Sequence, residues 1–164
     1  MTKLYAWSKI INQNIQSNKE KIHKKDYKFY KVDRIEKMSY KLEDNSDSCQ
    51  ICKEFMSELE MLSLDFPEYI NGSFADKSDF EKKHTKIFEH LMKFHNFVPE
   101  LYYASRFSLF GIILGTLFGF FIGNFFSFVN FRFSVLVGFA LGLTVGRVLG
   151  VSKDKQKEKQ KLVI

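Results

Sequence analysis

The pattern of apolar and polar positions divides the chain into two unlike parts. Over residues 1–106, apolar side chains come singly or in short groups among many charges. Over residues 107–151 they run almost unbroken, and Arg132 and Arg147 are the sole charges. The first pattern predicts amphipathic helices of a water-facing domain. The second predicts segments whose surroundings are apolar on all sides.

In the first part, Leu4, Trp7, Ile11 and Ile15 follow a helical period. With Trp7 beside Lys3 and Lys9, this helix suits either a bilayer surface or packing within the domain. DYKFYKVDRIEKMSYKLED is ambiguous: Phe29, Val32, Ile35 and Leu42 fit a helix, whereas Tyr27, Phe29 and Lys31 fit the opening of a strand. EDNSDS reads as a loop. Asp47 then serves as the N-cap of a helix over 48–64, with Gln50 at the capping-box position and Ile51, Phe55, Leu59 and Leu62 as its apolar stripe. Pro67 and Gly72 mark FPEYINGSFADKS as a loop. A second capping box, Ser78 with Glu81, opens a helix over 79–98 carrying Phe80, His84, Ile87, Phe88, Leu91 and Phe94. Pro99 ends it and starts a further helix toward Arg106. An antiparallel pair of these two longer helices is the simplest arrangement of the domain.

The apolar part is long enough for two crossings. A helix needs about 20 residues to span a hydrocarbon core, and 107–127 and 133–151 each supply that length around a turn at SFVNFR. Both segments carry glycine at every fourth position: Gly111, Gly115, Gly119 and Gly123 in the first, Gly138, Gly142, Gly146 and Gly150 in the second. In a soluble helix each glycine costs about 1 kcal/mol against alanine. In lipid, small residues let two backbones approach and gain dispersion contacts. Folding the chain at Asn130 and Phe131 sets Gly123 opposite Gly138, Gly119 opposite Gly142, Gly115 opposite Gly146 and Gly111 opposite Gly150. The expected fold is therefore all-α: a small helical cytoplasmic domain (1–105), a glycine-striped antiparallel transmembrane hairpin (106–151) and a basic tail (152–164). The stripe serves packing either within one chain or between copies.

Charge refines this picture. Residues 1–41 hold 11 basic and 4 acidic groups, and residues 42–106 hold 7 basic and 13 acidic. The overall +6 is therefore not a single nucleic-acid patch. KEKIHKKDYKFYK interleaves lysine with aromatics, but a solvated or lipid-facing segment accounts for it, and no nucleic-acid partner is expected. Arg106, Arg147 and Lys153, Lys155, Lys157, Lys159 and Lys161 flank the outer ends of the hairpin, against Arg132 alone near the turn. By the positive-inside rule both termini lie in the cytoplasm, and the chain is an integral protein of the inner or cytoplasmic membrane. The opening residues hold no continuous apolar core, so no secretory signal is expected there. The tail KDKQKEKQKLVI reads as disordered or as a short frayed helix.

Chemistry is confined to one motif. SCQICK places Cys49 and Cys52 at a predicted helix start, where backbone N–H groups favour a thiolate. Structural cysteines are the plain reading, with redox and metal binding as alternatives. No strand precedes the pair, so a thioredoxin-like site is not indicated. Zinc needs four ligands, and His90 with His95 would complete the set, although five residues apart is awkward for one helical face. His84 lies on the apolar stripe and reads as a core histidine. No Ser-His-Asp cluster, HExxH or phosphate-binding loop occurs, and an enzyme is not expected. The leading expectation is a non-enzymatic, membrane-anchored interaction, accessory or scaffold protein, with lipid and either a protein partner or further copies of itself as partners. The alternatives are an oligomeric membrane-perturbing or pore-forming protein and a CxxC thiol- or metal-dependent protein, with zinc as its cofactor.

Overall fold

A computed structural model of the chain describes residues 6–125 and 130–164. The positions assigned above to Lys3, Leu4 and much of the turn SFVNFR lie outside these residues. The described elements are helical: α1 (Ala6–Asn18), a 3-10 turn (Lys19–Lys21), α2 (Lys24–Phe29), α3 (Val32–Asn45), α4 (Gln50–Asn71), α5 (Phe74–His95), α6 (Tyr102–Phe125) and α7 (Phe131–Lys159). Two compact units result, Met1–Phe97 with Ile164, and Val98–Val163.

In the first unit, α1 packs on α3 and α4 and buries Ile11 and Ile15 completely. Packing within the domain thus occupies its apolar side. Polar bonds fix its start: Glu43 on α3 accepts from the Ser8 amide at 3.0 Å and the Ser8 hydroxyl at 2.6 Å, and the Trp7 indole donates to Glu60 at 2.9 Å. The segment left open between helix and strand is helical. Lys31, in the left-handed region at φ 54°, separates α2 from α3, and Val32, Ile35, Met38 and Leu42 of α3 are fully buried.

The two longer helices differ from expectation at their ends. α4 passes through Pro67 to Asn71 because its apolar stripe continues through Phe66, Pro67 and Ile70, all buried. That burial offsets the cost of about 3 kcal/mol for an interior proline. Gly72 makes the tight turn; a Cβ there would lie 2.6 Å from the Asp76 carboxylate and 2.8 Å from the Glu68 carbonyl oxygen. The capping box is Ser73 with Asp76, not Ser78 with Glu81: the Ser73 amide donates to Asp76 at 2.8 Å, and the Asp76 amide donates to the Ser73 hydroxyl at 3.4 Å. The Ser73 hydroxyl also donates to the Asp76 carboxylate at 2.7 Å, and this bond, then that from the Ser73 amide, holds the Asp76 carboxyl below its ordinary range. α5 ends at His95 instead of reaching Val98, because Asn96 turns left-handed at φ 57° and Phe97 donates back to the Leu91 carbonyl at 3.2 Å. The pair is antiparallel: Lys83 bonds Tyr69 near the turn, and Phe55 meets His90 near the open end.

In the second unit, α6 and α7 lie against each other and each is long and apolar enough to cross a membrane. The helix expected to begin at Pro99 starts at Tyr102, after Leu101 takes a left-handed turn at φ 56°. α7 runs on to Lys159, so most of the basic tail is helical. Asn130 caps it by accepting from the Arg132 amide at 3.1 Å.

The glycines meet in a register different from the one counted from the sequence. A Cβ on Gly142 would lie 2.8 Å from the Gly111 carbonyl carbon, and one on Gly115 would lie 2.9 Å from the Gly142 Cα and 3.1 Å from the Gly138 carbonyl carbon. Gly119 faces Ser134 and Val135, Gly123 faces Phe131, Gly146 faces Phe107 and Ser108, and Gly150 faces Tyr103 and Ala104. These contacts are displaced by four to eight residues in the second helix from the expected pairing. Asn130 is a helix cap, not the apex of the turn, and α7 already begins at Phe131.

Candidate metal centre

Four side chains that the sequence nominated separately converge in the first unit. Cys49 and Cys52 come from the start of α4. Asn45, the last residue of α3, accepts from the Ser48 and Cys49 amides at 3.2 and 2.9 Å, and the chain then turns directly into α4. Cys49 is the N-cap residue, extended at φ −133° and ψ 107°, and its sulfur accepts from the Cys52 amide at 3.4 Å. The cap expected at Asp47 is therefore supplied by a cysteine. Cys52, one turn on, points inward and is fully buried, whereas Cys49 is half-buried.

His90 and His95 come from the last turns of α5. Five helical residues leave two side chains about 140° apart around the axis, which is why this spacing looked awkward. Helical side chains lean toward the N-terminus, so His95 tilts back toward His90. Their rings lie 5.3 Å apart, edge to face. His90 Nε2 is 3.4 Å from both sulfurs, and His95 Nε2 is 3.2 Å from the Cys52 sulfur. The four ligand atoms all lie within 4.8 Å of one another.

These separations suit a tetrahedral site. Bonds of about 2.3 Å to sulfur and about 2.0–2.1 Å to nitrogen imply S···N edges of about 3.5 Å around one zinc ion. The donors, two soft thiols and two imidazoles, are a zinc set, and the spacing C-x2-C with H-x4-H falls within that of structural zinc sites. The arrangement is a Cys2His2 cluster compatible with zinc. It carries four protein ligands, which is the closed form of structural sites and not the three-ligand form that leaves a place for substrate.

The surroundings match that assignment. Phe55 meets the His90 ring edge-on at 5.3 Å and Phe94 stacks on it at 5.0 Å, holding the ring in place. Burial lowers the pKa of both histidines, with the neighbouring His95 charge adding to the effect at His90, so each favours the neutral form that ligates metal. In the metal-free chain burial pushes the Cys52 thiol up to about 12, followed by its hydrogen bond and charge interaction with Cys49. Metal binding must therefore displace a proton from Cys52.

His84 stays apart from this group. It is buried, stacked on Phe80 at 6.0 Å, and its Nε2 has no hydrogen-bond partner. Sequence reasoning missed one buried polar residue of the second unit, Asp154, which accepts from the Tyr103 and Ala104 amides at 2.9 and 2.8 Å. An acid among lysines carries no local signal of such a long-range bond. Compared with protein-family models, curated proteins and solved structures, the chain matches none.

Proposed function

We propose that this chain is a membrane-anchored helical protein whose water-facing unit is clasped by a structural zinc ion. The observation that carries this reading is the convergence of Cys49, Cys52, His90 and His95 on one point. α4 and α5 are joined covalently at Gly72 and Ser73, and the four ligands lie at the opposite, open end of the pair. A metal there ties the first turn of α4 to the last turn of α5 and closes the hairpin at both ends. Its role is to fix a surface for partners, not to turn over a substrate.

Two features support the anchor. The apolar stretches of α6 and α7 are only 6 % and 17 % buried, unlike core helices of a water-soluble protein. Phe110, Leu114, Phe118 and Phe121 of α6, with Leu136, Leu141 and Val148 of α7, face outward, as lipid contact requires. The glycines act as the packing surface between α6 and α7 of one chain. A pore is less well supported, since these outward faces offer no polar lining. Basic residues at the outer ends favour cytoplasmic termini.

The test is metal analysis and X-ray absorption on the full chain, purified in mild detergent under reducing conditions. We expect about one zinc per chain with two sulfur and two nitrogen neighbours. Cys52→Ser and His95→Ala should each lower zinc occupancy about tenfold or more. A wild-type protein that is folded but takes up no zinc would overturn the reading.

A further inference from the structure

We infer that Cys49 and Cys52 form a peroxide-oxidisable dithiol whose closure to a disulfide opens the metal clasp. This deepens the zinc reading of the same site and rests on it.

The two sulfurs are close but unequal. Both belong to one cluster within 4.8 Å, and they sit three residues apart at a helix start, a spacing that a disulfide can bridge. Cys52 is fully buried, whereas Cys49 is half-buried and sits outside the first turn. An oxidant from solvent therefore reaches Cys49 first. The Cys52 amide already donates to the Cys49 sulfur at 3.4 Å, which holds that sulfur over the start of α4. Cys52 is placed behind it as the resolving thiol.

The chemistry balances with hydrogen peroxide as the oxidant. The Cys49 thiolate attacks one peroxide oxygen; an S–O bond forms, the O–O bond breaks and hydroxide leaves, giving a sulfenic acid. The Cys52 thiolate then attacks the Cys49 sulfur and expels a second hydroxide. Two electrons pass from the thiolates to the peroxide, and one disulfide is formed. Loss of both thiolates leaves only two imidazoles, too few ligands to retain zinc. His90 and His95 lose their sulfur partners, so the open end of the α4–α5 pair loses its tie, while the turn at Gly72 and Ser73, the apolar core and the bonds of Lys83 and Lys86 to α4 remain. The exposed Phe94, which stacks on His90, is then free to move with it.

The experiment uses the full chain in mild detergent, zinc-loaded and freed of reductant. Peroxide is added stepwise, zinc release is followed with a chromogenic chelator, and the peptide holding both cysteines is weighed. We expect release of zinc in step with loss of two hydrogen masses from that peptide, reversed by a dithiol reductant and added zinc. Cys49→Ser should leave Cys52 reduced under the same peroxide, because the thiol that solvent reaches first is gone. Cys52→Ser should stop at a sulfenic acid on Cys49 that a 1,3-dione reagent traps, a result that does not depend on how tightly the variant holds metal. Zinc retained while both thiols survive peroxide, or oxidation that passes to sulfinic acid without a disulfide, would overturn the switch and leave the metal reading intact. A reduced wild-type chain without zinc would overturn both.

Discussion

The α4–α5 and α6–α7 pairs are both antiparallel helical hairpins, and they are built inside out relative to each other. In α4–α5, large side chains meet between the helices: Leu59, Leu62, Phe66, Phe80, Ile87 and Leu91 are almost wholly buried, and the pair's glycine, Gly72, serves the turn. In α6–α7, glycine backbones meet and the large side chains point away. Water explains the first arrangement, since burying apolar area there is worth about 25 cal/mol per Å². In the bilayer proposed for α6 and α7 that gain is absent, and contact there comes from close backbone approach. The same secondary structure is thus stabilised by opposite placements of bulk.

The sharpest way to break this contrast is to exchange bulk between the two pairs. Phe66→Ala removes a fully buried ring from the first unit and should cost about 3–5 kcal/mol. Thermal unfolding in detergent, followed by circular dichroism, should show the loss in the first unit while the α6–α7 helices persist. In the second unit, removing bulk should matter little and adding it should matter a great deal. Gly142→Leu places a side chain on the backbone of Gly111, which cannot rotate away. The cost is at the upper end of about 1–3 kcal/mol, equivalent to a fall of about 10 °C in the midpoint of heat-induced aggregation measured by gel filtration. Phe118→Leu, on an outward position, should shift that midpoint by only a few degrees. Equal tolerance of Gly142→Leu and Phe118→Leu would sink the backbone-packing account.

How much of this was legible follows the same division. Periodicity placed α4, α5 and both apolar helices, because each repeats one local rule over many turns. Their ends were misjudged where tertiary burial overrode a local signal: Pro67 looked like a stop, but Phe66 and Ile70 carry α4 past it. The eight glycines were visible as a set, yet their register was not. Counting about Asn130 assumed that the turn lies at the polar residue, whereas Asn130 caps α7. The four metal ligands could be nominated from residue type alone. Their convergence depends on which turn of α5 faces the start of α4, and on His95 being the last helical residue, and neither is written in the spacing. His84 was readable as a core residue from its place on the stripe.

His84 gives a smaller effect confined to the first unit. Burial, then the nearby Arg34 and Lys31 charges, push its pKa down to about 4. An unfolded histidine titrates near 6.5, so between these values the unfolded state binds the proton and the folded state does not. The contribution is fully present above about pH 6.5 and is lost as pH falls toward 4, reaching about 2 kcal/mol by pH 5. His84→Phe should remove this slope. Unfolding of the zinc-loaded wild type and the variant, compared at each pH, isolates it from acid release of metal at His90 and His95. Parallel pH profiles for the two proteins would refute it.

Asp154 should give the smallest effect, and it asks how the glycine-packed pair is finished at its outer end. A helix begins with amides that have no partner within it. At α6 two of these, Tyr103 and Ala104, donate to one carboxylate from the far end of α7. Gly150 lies against the same two residues, so the carboxylate is held where the backbones are close. Lys153, the preceding residue, sits over the Tyr103 ring at 4.6 Å and the Phe107 ring at 5.6 Å. The helical course of α7 beyond its apolar stretch is therefore tied to the start of α6. Asp154→Ala should cost about 1–2 kcal/mol, as loss of a good helix cap does, and Asp154→Asn about half of that, because one oxygen remains to accept. Hydrogen exchange should quicken at Tyr103 and Ala104 in both variants while the glycine-lined middle of α6 stays protected. Exchange that quickens along all of α6 would mean that the cap sustains the whole pair; unchanged exchange at Tyr103 would mean that it sustains nothing.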